Sequence, residues 1–238
     1  MTQAAQPFHS VYVQRRQPGV SRADFQRLWR SHGDFAAGVP AFWNNVERYV
    51  HNDPVEPVAG VPAATADYDA VGELYYTSYA SWLGMRDVMW HEVAPDEKRV
   101  FAGPPGVSVR GERTVHQVPQ GACKLFTFAN LKPGPDPAAL AKHAAMTLAL
   151  PGFGARLAGF TITQALRPTA ASGMDQVAQT ASSHDAVFIH HFADRAAAQA
   201  ALTSADYARL AVAEDALLDW SSRVVILTTG WVLKGQLG

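Results

Sequence analysis

The chain has 238 residues, of which 48% are apolar and 17% charged, and a formal net charge of −1. That balance suits packed globular domains rather than disorder, and it gives no electrostatic ground for nucleic acid or an anionic membrane as a partner. The single cysteine, Cys123, excludes an internal disulfide and a cysteine-based metal cluster, and it fits a reducing compartment.

Phe8 to Arg15 is short, apolar and β-branched and reads as a strand ending at the turn Gln17-Pro18-Gly19. Ser21 is placed to cap a helix with Asp24 in its first turn, and Phe25, Leu28, Trp29, His32 and Phe35 recur at the spacing of one helix face. Strands follow at Asn45–His51 and Tyr68–Thr77. A second helix begins at Ser78 or Ser81 and carries Trp82, Met85, Val88 and Met89, with a short further turn through Val100. Val107–Val118 is the fourth strand. Beyond it come a strand at Cys123–Asn130, a turn at Lys132–Pro137 and a helix at Ala138–Leu150. Strands at Ala155–Leu166 and Ala186–Phe192, a helix over Asp194–Ala213 and a strand at Arg223–Leu233 complete the chain. No apolar run approaches the roughly 18 residues of a membrane span. Met1–Pro7 shows no basic segment followed by an apolar one, so no signal peptide is read and a cytoplasmic location is expected.

The two halves echo each other. His32, Pro40, Phe42 and Asp69-Ala70-Val71 find counterparts in His143, Pro151, Phe153 and Asp185-Ala186-Val187, with the same His-to-Pro and Pro-to-Phe intervals. A Pro/Ala-rich break precedes each Asp-Ala-Val, at Asp53–Ala66 and Arg167–Ser183. A period of about 110 to 115 residues is too long for a solenoid unit and indicates a duplicated domain. The expected fold is α+β: two tandem ferredoxin-like βαββαβ domains, at 8–118 and 121–236. Each antiparallel sheet carries its helices on one face and leaves the other bare. The two sheets are therefore expected to pack into one barrel of the dimeric α+β type, the chain acting as its own pseudo-dimer.

Arg15-Arg16-Gln17-Pro18-Gly19-Val20-Ser21, then Phe25, Trp29 and His32, then Arg48-Tyr49-Val50 and Tyr68-Asp69-Ala70-Val71-Gly72-Glu73-Leu74, resemble the EthD family of the dimeric α+β barrel group. The second half resembles it only in skeleton, with Ile189 where Glu73 stands and Phe160 where Tyr49 stands. The resemblance implies a barrel fold and a broad range of activities. These span polyketide-pathway dehydratases, decarboxylases and cyclases, lactone isomerases, quinone-forming monooxygenases and haem enzymes. Fold alone does not choose among them.

His32 is the leading catalytic candidate, because an imidazole on the sheet-facing side of a helix has an ordinary pKa suited to proton transfer near neutrality. Asp69 and Glu73 lie four apart on a predicted strand, so Asp69, Val71, Glu73 and Tyr75 line one face, and either carboxylate is expected to orient His32. Tyr49 and His51 share a face of the preceding strand. With Trp29, Tyr75 and Tyr12, they are the candidates for binding substrate. His190-His191 is a weak metal fragment, since strand neighbours point to opposite faces. There is no glycine-rich phosphate loop, His-Glu-x-x-His or Gly-x-Ser-x-Gly. The expectation is an enzyme with no metal and no cofactor: a lyase or isomerase acting on an aromatic or polyketide-like small molecule, with a homodimer as a further option. The alternatives are a haem protein with His143 or His190 as axial ligand, and a non-catalytic ligand-binding or stress-response module.

Overall fold

The computed structural model describes residues 7–133, 138–166 and 182–235. The first half runs β1 (Phe8–Gln14), α1 (Arg22–Ala37), α2 (Pro40–Trp43), β2 (Arg48–Pro54), β3 (Ala70–Tyr76), α3 (Tyr79–Val88), a π-helical turn (Met89–Val93), α4 (Ala94–Val100) and β4 (Val107–Gln117). The second half runs β5 (Cys123–Leu131), α5 (Ala139–Ala149), a 3-10 turn (Gly154–Arg156), β6 (Gly159–Ala165), β7 (Ala186–Phe192), α6 (Arg195–Leu202), α7 (Ala205–Glu214) and β8 (Leu218–Lys234).

Among the described residues all strand pairs are antiparallel, and they close into a barrel in the order β1-β3-β2-β8-β5-β7-β6-β4. Two seams join strands from different halves: β2 to β8, with Pro54 opposite Thr228, and β4 to β6, with Gly111 opposite Ala165. The helices lie outside. No helix among the described residues is long and apolar enough to cross a membrane.

Local chemistry sets most element ends. Gly19 takes φ +82° in the turn after β1, and Ser21 caps α1 by accepting a hydrogen bond from the Asp24 amide. The helix expected over 194–213 is two helices. Asp194 caps α6 and the Ser204 hydroxyl accepts from the Tyr207 amide, so a second N-terminus forms inside the apolar run. β2 starts later than expected because Pro40 opens α2, and its last turn carries the chain to Asn45. β6 likewise starts at Gly159, after the 3-10 turn. The expected break at Arg167–Ser183 and the turn at Lys132–Pro137 fall mainly outside the described residues.

The barrel interior is divided along its length. One end holds aliphatic and aromatic side chains, including Val11, Val71, Val109, Phe126, Phe128 and Ile226. The other end holds a fully buried ion pair between Glu73 of β3 and Lys124 of β5. Glu73 also accepts hydrogen bonds from Asn52 Nδ2 at 2.9 Å and Tyr75 Oη at 2.7 Å. Burial alone raises a carboxyl's pKa, but Lys124, His9 and the Tyr75 hydroxyl outweigh it and hold Glu73 well below its ordinary value.

Candidate active site

The cavity of interest lies on the outer face of β1, β3, β2 and β4, beneath α1, α2 and the α3–α4 segment. Its volume is about 220 Å³, and its wall includes Phe42, Leu74, Trp82, Met89 and Val93 among apolar side chains. The polar groups facing it are His32, Tyr12, Tyr49, Glu97 and Arg110, with Ser10 and Gln14. Strand alternation accounts for the sheet contribution: Ser10, Tyr12 and Gln14 share one side of β1, as Leu74 and Tyr76 do on β3. Gly72 sits opposite Tyr12 in the register, and a Cβ there would lie 2.2 Å from the Tyr12 ring. The missing side chain lets that ring lie across β3 and bring its hydroxyl to 3.2 Å from that of Tyr49. Above the sheet, the π-helical turn rotates Met89, Trp90 and Val93 onto the cavity, a local irregularity of the kind common at functional sites.

His32 lies on the buried face of α1. That helix packs close because Gly33 has no side chain; a Cβ there would stand 2.5 Å from Leu233 and 3.3 Å from His51. His32 Nδ1 is 2.8 Å from Asp96 Oδ2 on α4, and Arg99 donates to both oxygens of the same carboxylate at 3.0 Å. Burial lowers the pKa of His32, and the Asp96 interaction opposes that shift without cancelling it. Arg99 and His32 hold Asp96 below its ordinary value against the opposing effect of its burial. The charged Asp96 requires a donor, so a neutral His32 carries its proton on Nδ1 and leaves Nε2 as an acceptor.

Glu97 follows Asp96 on α4 and faces the cavity. Burial pushes its carboxyl up to about 7, with Arg110 drawing it down and Asp96 pushing it further up. Tyr12 and Tyr49 are both raised by burial, so their hydroxyls stay protonated throughout the physiological range.

The pocket thus gathers three of the residues singled out from sequence: His32, Tyr12 and Tyr49. The others are elsewhere, and each has a physical reason. Glu73 and Tyr75 point into the barrel, because odd positions of β3 face inward; Asp96 takes the orienting role expected of Glu73 or Asp69. Asp69 accepts from the Arg16 backbone amide at 3.0 Å and pairs with the Arg16 side chain, which ties the end of β1 to the start of β3. Asp185 does the same in the second half, accepting from the Leu131 amide at 3.0 Å. His51 lies behind the pocket, stacked on Trp29 at 3.9 Å with Nδ1 3.0 Å from Arg30. Asp96, Glu97 and Arg110 were missed. Asp96 and Glu97 follow Pro95, which in sequence is the ordinary signature of a solvated helix start.

The corresponding layer of the second half is filled. Phe153, Phe160, Phe188, Tyr207 and Leu210 form one apolar cluster. His190 is stacked on Phe160 at 4.5 Å and meets Phe153 edge-on at 5.3 Å, while His143 meets Phe188 at 5.1 Å. Both imidazoles are buried within this layer, and neither nitrogen of His190 has a hydrogen-bond partner among the described residues.

Residues 17–105 match the EthD domain family. The EthD match spans α1 to α4 and so contains His32, Tyr49, Asp96 and Glu97, while Tyr12 and Arg110 lie on the flanking strands. No curated protein matches the chain. Among solved structures, an anthrone oxidase-like protein aligns with 100% of this chain and 97% of its own at 9% identity and a TM-score of 0.62. A monooxygenase candidate from Fusobacterium nucleatum aligns with 98% and 94% at 9% identity and a TM-score of 0.61. A chlorite dismutase candidate covers 95% of each chain at 12% identity and a TM-score of 0.54. At such identities the likeness establishes the fold, a mixed α and β molecule with a barrel of the dimeric α+β type.

Proposed function

We propose that the protein is a lyase or isomerase that works without a cofactor on an aromatic or polyketide-like small molecule in the first-half cavity. The observation that carries this reading is the His32–Asp96 pair on the wall of an apolar cavity. A carboxylate-oriented neutral imidazole is a general base, and such assistance is worth typically 10²- to 10⁴-fold in rate. An engineered apolar cavity of about 150 Å³ binds benzene, so the larger volume here suits a ligand of one or two fused rings. Tyr12 and Tyr49 position an oxygen function of that ligand. The fold is shared with proteins named for quite different reactions and selects none of them.

The test is hydrogen–deuterium exchange at the carbon beside the carbonyl of 1-tetralone, a bicyclic enolisable ketone, in D₂O. We expect the wild-type protein to accelerate exchange and His32→Ala to lose it by about 10²-fold or more while keeping its circular dichroism spectrum. Equal exchange by the variant rejects the base role.

We further infer that 8–118 and 121–236 are two copies of one ferredoxin-like unit. Support comes from the repeated element order, from strand orders β4-β1-β3-β2 and β8-β5-β7-β6 within the barrel, and from the shared Asp69 and Asp185 backbone ties.

A further inference from the structure

We infer that Glu97 is the general acid of the pocket, donating a proton to the substrate's carbonyl oxygen while His32 removes one from the adjacent carbon. This deepens the reading above and rests on it, since it needs His32 as the base.

Three observations carry the assignment. Glu97 and His32 line the same cavity, Glu97 from α4 and His32 from α1. Asp96, the neighbour of Glu97, is engaged by His32 and Arg99, whereas the Glu97 carboxyl has no hydrogen-bond or ion-pair partner among the described residues and is left facing the cavity. Its surroundings also fit a proton donor: Arg110 from β4, Tyr12 from β1, Tyr49 from β2, and Asp96 on its own helix. Of these only Arg110 favours ionisation, and burial opposes it, which is why the carboxyl titrates near neutrality. Burial acts in the opposite sense on His32 and keeps the imidazole neutral. The usual ranking of the two groups is thereby inverted: imidazole lone pair on one wall, carboxylic acid proton on another.

In the step itself, His32 Nε2 takes the proton from the carbon beside the carbonyl. The C–H electron pair becomes the carbon–carbon π bond, and the carbonyl π pair takes the Glu97 proton as a new O–H bond. The products are the neutral enol, an imidazolium held by Asp96, and a Glu97 carboxylate. Exchange of the imidazolium proton with D₂O and reversal of the step return a labelled ketone, with no oxidant or reductant consumed.

The same 1-tetralone exchange, followed against pH, tests this. The active state needs neutral His32 and protonated Glu97, so the rate should rise through a pH below 6.5 and fall above about 7. Glu97→Gln should lower the rate by about 10²- to 10⁴-fold and abolish the fall at high pH. Glu97→Asp, which keeps the acid but withdraws it, should retain a fall at high pH at a reduced rate. A Glu97→Gln protein that exchanges as fast as wild type with the same high-pH fall overturns the assignment, even if His32→Ala is dead. Should Glu97→Gln fail to fold, an unchanged rate and profile in Glu97→Asp overturns it. Wild-type protein that binds 1-tetralone without accelerating exchange overturns both the acid and the base.

Discussion

Asp96 does at residue scale what makes His32 more than a packed aromatic. Its carboxylate fixes the tautomer through Nδ1 and is itself clamped by Arg99. Asp96→Asn keeps the shape but offers Nδ1 an ambiguous partner, so exchange of 1-tetralone should fall by about 10²-fold with the fold intact, read by NMR beside circular dichroism. In the folded wild-type protein the His32 C–H resonances should titrate below 6.5. A histidine buried neutral resists protonation, so it withdraws stability as pH falls below the ordinary histidine value rather than above it. His32, Tyr12 and Tyr49 were legible because periodicity alone assigns them to faces of α1, β1 and β2. Their partners Asp96 and Glu97 were not, because nothing along the chain records that α4 folds back across α1.

Elements are held by small residues as much as by large ones. Gly72 is the clearest case, since its bare Cα is the space in which the Tyr12 ring lies. Gly72→Ala should displace Tyr12, break its hydrogen bond to Tyr49 and cost about 1–3 kcal/mol. Urea unfolding measures the cost, and weaker 1-tetralone binding reports the damaged pocket. The strand and helix types were readable from alternation and caps, and β7 was placed without error. The errors fell where a short turn intrudes on an apolar run, as α2 does before β2 and Ser204 does between α6 and α7. A local hydroxyl or proline that can start a helix competes there with a hydrophobic pattern that would continue one.

The whole molecule depends on a polar knot at one end of the barrel interior. Glu73 and Lys124 come from opposite halves and neither is exposed at all. Removing one partner strands a buried charge, so Lys124→Met should cost about 3–5 kcal/mol in denaturant unfolding, and pairing it with Glu73→Gln should recover part of that loss. Glu73 is depressed below its ordinary value of 4.5 in the folded state. Its contribution is therefore present above that value and lost as pH falls below it, and the Lys124→Met protein should lose less over the same range. The barrel type was visible in the echo between His32–Asp69 and His143–Asp185, but a repeated histidine is compatible with a structural role as much as a chemical one. The structure separates the two: one imidazole borders open space, while its counterpart is packed among Phe188 and its neighbours.

That difference is open to a barrel whose two halves belong to one chain. In a two-fold homodimer every amino-acid change is made twice, once on each side of the symmetry axis, and neither side can specialise alone. Here a mutation enters once. Phe160 fills one flank while Tyr49, on the other, stays beside a hollow, so on the function proposed above a single polypeptide divides the work of scaffold and reactor between its two halves.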